Sequence, residues 1–359
     1  MIGTVRLSWL TFLLISVLAP TAACSQEHAQ LPCRHDDKEC AARILKGHVV
    51  TRLDYWKRAY AQPVGQRMAA APPELVEYLA LDNIKGGFPN QPRSAKLSND
   101  FLLDVRAAIA ELPRSVRDLL STKLAGIYFV EDLGGTGYTD MIFDDHSNAV
   151  AGFVVLDLAV LGSRTANAWA TWKENTPFKA QPRFTLLAGI ESKRHDNRKN
   201  AIQYILLHEF GHVLAINERF HPPWGIEPND VPVTASYPYF QLSWTIARDE
   251  NRYVTIFDRS FPQRKDVVYY LEAKLPADQM VGTYANLGRT NFATLYAVTH
   301  PADDFAEAFA SYVHTVMMKK PFEIRLYRDS KLAKVYQSCW RQQRCAEKRR
   351  LLEKFLGGR

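Results

Sequence analysis

No internal repeat or low-complexity tract is visible in this 359-residue chain, so solenoid and fibrous architectures have no footing. Cysteine is scarce, with five in all, and none lies close in sequence to the histidine pair at 208 and 212; a cysteine-rich metal site is therefore the weaker expectation. No nucleic-acid-binding motif accompanies the chain's positive charge, so nucleic acid is not an expected partner. The apolar run at residues 7–19, which follows Arg6, is too short and too one-sided for a spanning helix. Disorder is not expected either: 47% apolar residues is ordinary for a globular protein, and the length suits one large domain or two modest ones.

That N-terminal run reads instead as an export signal over residues 1–23. Thr21, Ala22, Ala23 and Cys24 are similar to the lipobox of bacterial lipoproteins, with threonine where that motif usually has leucine. The resemblance implies a protein acylated at Cys24 and anchored to a bacterial membrane, facing the periplasm. Cleavage after Ala23 to give a soluble periplasmic or secreted protein stays open. If Cys24 carries lipid, Cys33, Cys40, Cys339 and Cys345 remain, an even number suited to an oxidising compartment. Two short-range pairs, Cys33 with Cys40 and Cys339 with Cys345, suit the spacing, and a link between the chain ends is equally allowed.

The formal charge of +7 is uneven, because residues 319–359 carry thirteen Lys and Arg against four Asp and Glu while the rest is slightly acidic. A solvated helix face explains such a run most simply; an anionic membrane surface or an acidic partner is the alternative, and residues 346–356 have amphipathic character.

Along the chain, residues 24–100 read as a helical arm or subdomain, with helical stretches at 48–60 and 73–81 broken by prolines and glycines. Two helices at 100–111 and 115–123 flank Pro113. Strand patterns follow at 126–131, 151–161 and 184–190, with a turn around Gly134, Gly135 and Gly137. The expectation is an α+β fold: a small mixed or antiparallel sheet packed on the helix that carries His208, followed by a mainly helical C-terminal part. A main domain over 101–340 and a basic C-terminal helix over 341–359 complete the division. The proline- and aromatic-rich segment 217–295 is either a cover over a groove or a packed insertion.

Within residues 201–218, Ile202, Ile205, Leu206, Phe210, Val213 and Leu214 recur at helical spacing around HEFGH. His208 and His212, four apart, share a helix face and can present two imidazole nitrogens to one ion. Glu209, offset by one, stands where it can take a proton from an attacking water. Asp196 or Asn197 can cap this helix. A second helix follows Pro301, with Phe305, Ala308, Phe309, Tyr312, Val313 and Val316 as its apolar face. It offers three carboxylates as a third ligand. Asp303 and Asp304 also suit the positive end of the helix dipole, but Glu307, a turn further in, does not need that explanation.

HEFGH followed by YAVTHPADDFAEAF resembles the gluzincin zinc metallopeptidases, in particular the lethal-factor-like and related bacterial groups, over residues 200–215 and 292–316. The resemblance implies a zincin-like fold and one zinc ion. It places the family's metal-binding glutamate on Asp303, its second acidic residue on Glu307 and its transition-state tyrosine on Tyr296, with Tyr284 as the alternative tyrosine. Asp303 is the departure, since aspartate is one methylene shorter and reaches about 1.5 Å less far. Either the helix comes closer, or Glu307 or Asp304 takes over; a carboxylate left out of the metal set can hold a histidine's free nitrogen.

The expected activity is hydrolysis of a peptide bond in a peptide or protein substrate, with Glu209 as base and then acid and Tyr296 as oxyanion donor. Two other readings stay open: an exported binding or anchoring protein whose zinc is structural or vestigial, and a zinc hydrolase of a non-peptide bond in the cell envelope.

Overall fold

Residues 124–130 and 151–156 are apolar without alternation, as a strand covered on both faces requires. In the computed structural model, which describes residues 31–357, both are central strands of a mixed sheet. The signal at 1–23 and the lipidation at Cys24 lie outside the described residues.

In chain order come α1 (Lys38–Leu45), a run of tight turns over 49–56, α2 (Lys57–Tyr60), β1 (Met68–Ala70), α3 (Pro73–Gly86), β2 (Arg93–Ser94), α4 (Asn99–Ala110) and α5 (Arg114–Lys123). The strands β3 (Leu124–Glu131), β4 (Gly137–Phe143) and β5 (Ala149–Asp157) follow. β3 runs parallel to both β1 and β5, β2 pairs antiparallel with the end of β3, and β4 closes the sheet antiparallel to β5 as its edge strand. After α6 (Leu158–Leu161) and α7 (Ala166–Asn175), β6 (Phe184–Gly189) leads into α8 (Arg198–Ala215), the helix that carries HEFGH.

Beyond α8, β7 (Trp244–Ala247) and β8 (Arg252–Thr255) form a hairpin, α9 (Met280–Leu287) and α10 (Pro301–Tyr312) follow, and β9 (Glu323–Arg328), β10 (Lys331–Gln337) and α11 (Ala346–Gly357) end the fold. β6, β9 and β10 make a separate antiparallel sheet. The described residues from Cys33 onward form one compact unit. The fold is mixed α and β, with small sheets and many helices.

Three differences from the sequence expectation matter. The helical stretch at 48–60 is broken into single turns, with Trp56 buried and its indole N–H bonded to the Val50 carbonyl. β6 leaves the first sheet for the one built with β9 and β10. α8 is covered almost all round, and only His208 and His212 from residue 200 onward are more than marginally exposed. Its polar start is fixed by Arg198 on Asp100 and Asp104 and by Gln203, which donates to the Ala108 carbonyl at 2.8 Å.

Much of segment 217–295 is packed: Tyr239, Phe261 and Phe292 are almost fully buried in the main core. Both short-range cysteine pairs, Cys33–Cys40 and Cys339–Cys345, are disulfides. The basic end is partly turned inward, since Lys348, Leu352 and Leu356 of α11 are buried and Arg344 donates to the carbonyls of Thr290 and Phe292. Among the described residues, no helix is long and apolar enough to cross a membrane.

Candidate metal centre

Asn197 caps α8, its Oδ1 accepting from the Asn200 amide at 3.0 Å, and the helix then runs three turns to the histidines. The Nε2 atoms of His208 and His212 lie 3.1 Å apart. α10 begins at Pro301, where a missing N–H costs nothing, and the His300 ring accepts the Ala302 amide. This brings Asp303 into the first turn, facing α8. Its Oδ1 lies 3.5 Å from His212 Nε2 and 4.0 Å from His208 Nε2, and Thr299 Oγ1 donates to Oδ2 at 2.9 Å.

The three donor atoms all lie within 4.8 Å of one another. Donors around a tetrahedral zinc with bonds of 2.0–2.1 Å are about 3.3 Å apart, so two imidazoles and one carboxylate at these spacings fit such an ion with little adjustment. Burial works against charge on Asp303, but His212 and His208 outweigh it and hold the carboxyl below its usual pKa. No thiolate can compete, because the four described cysteines are in disulfides.

Glu209 points between α8 and β4. Its Oε2 accepts from Thr139 Oγ1 at 2.6 Å, while Oε1 lies where a side chain at residue 137 would stand: a Cβ on Gly137 would meet it at 2.3 Å. The edge strand thus makes room for the carboxylate with glycine at one position and fixes it with threonine two positions on.

The other two acidic candidates are engaged elsewhere. Glu307 is fully buried; its Oε1 receives Lys173 Nζ at 2.7 Å and its Oε2 receives Thr294 Oγ1 at 2.6 Å. The same Oε1 lies 3.0 Å from His208 Nδ1, where it steadies the ring from behind. Burial opposes the charge on Glu307, yet Lys173 and His208 keep its pKa far below the ordinary carboxylate range. Asp304 faces away from the histidines, with both oxygens on Lys348 Nζ at 2.6 and 2.7 Å and Oδ2 accepting the Trp244 indole N–H at 3.0 Å.

Tyr296, in a tight turn before α10, sets its ring 5.3 Å from that of His208. Lys173 Nζ lies 4.6 Å from the same ring and Tyr269 4.7 Å, centre to centre. Among the described residues its hydroxyl makes no hydrogen bond, and burial pushes its pKa well above 10, so it remains a donor. Tyr284 is spent elsewhere, donating to Glu174 Oε2 at 2.6 Å.

Sequence reasoning missed Lys173 and the aromatic rim. A lysine at helical spacing from Trp169 and Ala170 on α7 was the available signal, since all three are buried. On the other side, the Trp224 ring stands edge-on to His212 at 5.7 Å, beside the buried His221. No protein-family model, curated protein or solved structure matches this chain.

Proposed function

We propose that this protein is an exported, zinc-dependent endopeptidase of zincin-like build, and the observation that carries the reading is the convergence of His208, His212 and Asp303 beside the held carboxylate of Glu209. A zinc ion bound by those three residues supplies Lewis acidity, polarising a scissile carbonyl and making water a nucleophile near neutral pH. Glu209, fixed by Thr139, takes the proton of the attacking water and returns it to the leaving amine. Tyr296 donates its hydroxyl to the oxyanion, a charge that develops only near the transition state. Thr299 holds Asp303 in place, and Glu307 with Lys173 braces His208.

A peptide substrate is supported by β4: among the described strands only β5 pairs with it, and although Arg52 bridges Phe143 at its far end, the start of the strand at Gly137–Thr139, beside Glu209, has no strand on its other side. An extended peptide satisfies its backbone groups against such an edge. The packing of α8 against β4 and β5 on one side and α10 on another is the feature that supports a zincin-like arrangement. Export and membrane attachment through Cys24 rest on the N-terminal sequence and belong to the same proposal.

The test is metal analysis of the purified mature protein together with cleavage of a peptide library by wild type and Glu209→Gln. The expected result is one zinc per chain in both and a loss of turnover of about 10²–10⁴ in the variant. A Glu209→Gln protein that cleaves as well as wild type overturns the reading. Loss of fatty-acid labelling and of membrane partitioning in Cys24→Ser tests the anchor.

A further inference from the structure

Between α3 and the start of β4 lies a cavity of about 220 Å³, lined by Asp82 and Asn83 of α3, by Phe88, and by Leu133, Gly137 and Tyr138 of the β3–β4 region. Gly137 belongs to both places: it forms a wall of this cavity, and its missing side chain makes the space for Glu209 Oε1. The cavity therefore adjoins the candidate centre, across the edge strand from Glu209.

Its chemistry is one-sided. Of the two aspartates here, Asp140 is spent, accepting the hydroxyls of Tyr78 at 2.5 Å and Tyr138 at 2.8 Å on one oxygen and the Met141 amide on the other. Asp82 keeps capacity to spare, because it competes with Asp140 for the single Tyr138 hydroxyl proton, its ion-pair partner Lys85 Nζ stands 4.0 Å away, and its side chain stays one-third exposed. Asn83 uses its amide N–H groups on the carbonyls of Asn90 and Leu133, at 3.1 and 3.4 Å, so it has only an acceptor left to offer. Phe88, 47% exposed, and Tyr138 supply aromatic surface, and among the described residues no lysine, arginine or histidine lines the cavity. Acceptors without donors, between aromatic rings, favour a guest that is cationic, rich in N–H and carried on an apolar stem. Burial, and then Asp140 nearby, raises the Asp82 pKa above its usual value, a burden that a bound cation relieves.

We infer that this cavity is a specificity pocket for a lysine or arginine side chain of the substrate, with Asp82 as the residue that reads its charge. The inference rests on the peptidase reading for its setting. Side chains of an extended peptide alternate between the two faces of the sheet it joins. Where the residue at the bond lies on the Glu209 side of β4, its neighbour points over the edge toward Tyr138 and Asp82.

The experiment uses the full mature chain carrying Glu209→Gln, so that peptides bind without being cut. Alanine-based peptides with a single arginine, or its neutral isostere citrulline, at successive positions are titrated by calorimetry. At one position arginine is expected to bind about tenfold or more tighter than citrulline. Adding Asp82→Asn should erase that ratio while leaving citrulline affinity unchanged, and Phe88→Ala should weaken arginine binding in a chain that keeps the carboxylate. Equal or absent binding of the two peptides at every position, or a preference that survives Asp82→Asn, overturns the pocket. The two readings fail separately. A wild-type protein that cleaves arginine and citrulline peptides alike keeps the peptidase and loses the pocket, and one that binds with the preference but cleaves nothing keeps the pocket and loses the peptidase.

Discussion

Gly211 of α8 and Ala306 of α10 meet backbone to backbone: a Cβ placed on Gly211 would lie 2.6 Å from Ala306 Cα and 3.2 Å from its Cβ. The two helices that carry the donors therefore touch at their smallest residues, one turn from His208 and one turn from Asp303. This close approach is the physical answer to the short side chain at 303. The helix comes nearer, and the aspartate reaches within 3.5 Å of His212 Nε2 without help from Glu307.

Gly211→Ala is accordingly expected to push α10 away, costing about 1–3 kcal/mol of stability through overpacking. It should also weaken zinc binding, because Asp303 is drawn back. Adding Asp303→Glu to Gly211→Ala lengthens the reach by one methylene and should restore much of the metal affinity without restoring stability. Zinc competition with a chelating dye, alongside thermal melts, reads both effects. If Gly211→Ala binds zinc as tightly as wild type, helix spacing does not set the ligand geometry.

Gly137→Ala addresses the opposite wall. The new methyl would overlap Glu209 Oε1 and crowd Leu156, so the carboxylate should swing away from Thr139 at a stability cost of about 1–3 kcal/mol. Zinc content should be unchanged and turnover should drop by about 10²-fold or more, as when a general base is misplaced. Full activity in this variant means that the position held by Thr139 is not the working one.

The sequence carried the histidine pair and the second helix because both are local patterns. An i, i+4 spacing in HEFGH and the apolar period after Pro301 are written within single turns, and they place His208, His212 and Asp303. Which of three acidic residues faces the histidines was not local information. It depends on Lys173 arriving from α7 to hold Glu307 and on Lys348 arriving from α11 to hold Asp304. β4 was invisible for a related reason. Its sequence, GYTDMIF, lacks a clean apolar alternation because Thr139 serves Glu209 on one face while on the other Asp140 accepts from the hydroxyls of Tyr138 and Tyr78.

The Lys348–Asp304 pair is fully buried, so removing one partner should be far worse than removing both. Lys348→Met leaves a carboxyl that burial already holds above its usual pKa, and about 3–5 kcal/mol of stability should be lost at neutral pH. The sign with pH follows from the raised folded-state pKa. A raised carboxyl contributes stability below its unfolded value and loses it as pH rises, so the deficit of Lys348→Met against wild type should be smaller near pH 4 than at pH 8. The double variant with Asp304→Asn, which still accepts from Trp244, should recover most of the loss in denaturant titrations. A deficit that does not vary with pH would mean that Asp304 is not the group left charged.

His314 gives the clearest acid sensitivity outside the candidate centre. It is buried in the π-helical turn Val313–Met317 that follows α10, where its Nε2–H donates to the Ile190 carbonyl at 2.8 Å, with the Pro321 carbonyl at 3.1 Å, and Nδ1 has no partner among the described residues. Burial, aided by Lys320, pushes its pKa down to about 4, against an ordinary 6.5, while the bond to Ile190 only partly offsets this. A histidine with a depressed folded-state pKa takes up its proton more readily when unfolded, so its contribution to stability is complete above pH 6.5. That contribution should fall progressively as pH drops from 6.5 to 4, by about 3 kcal/mol for a shift of this size. His314→Gln keeps an N–H donor for Ile190 and removes the titration. Its stability should therefore run flatter than wild type across pH 6.5 to 4 in urea melts, and equal slopes in the two proteins would rule out His314 as an acid-labile point of the fold.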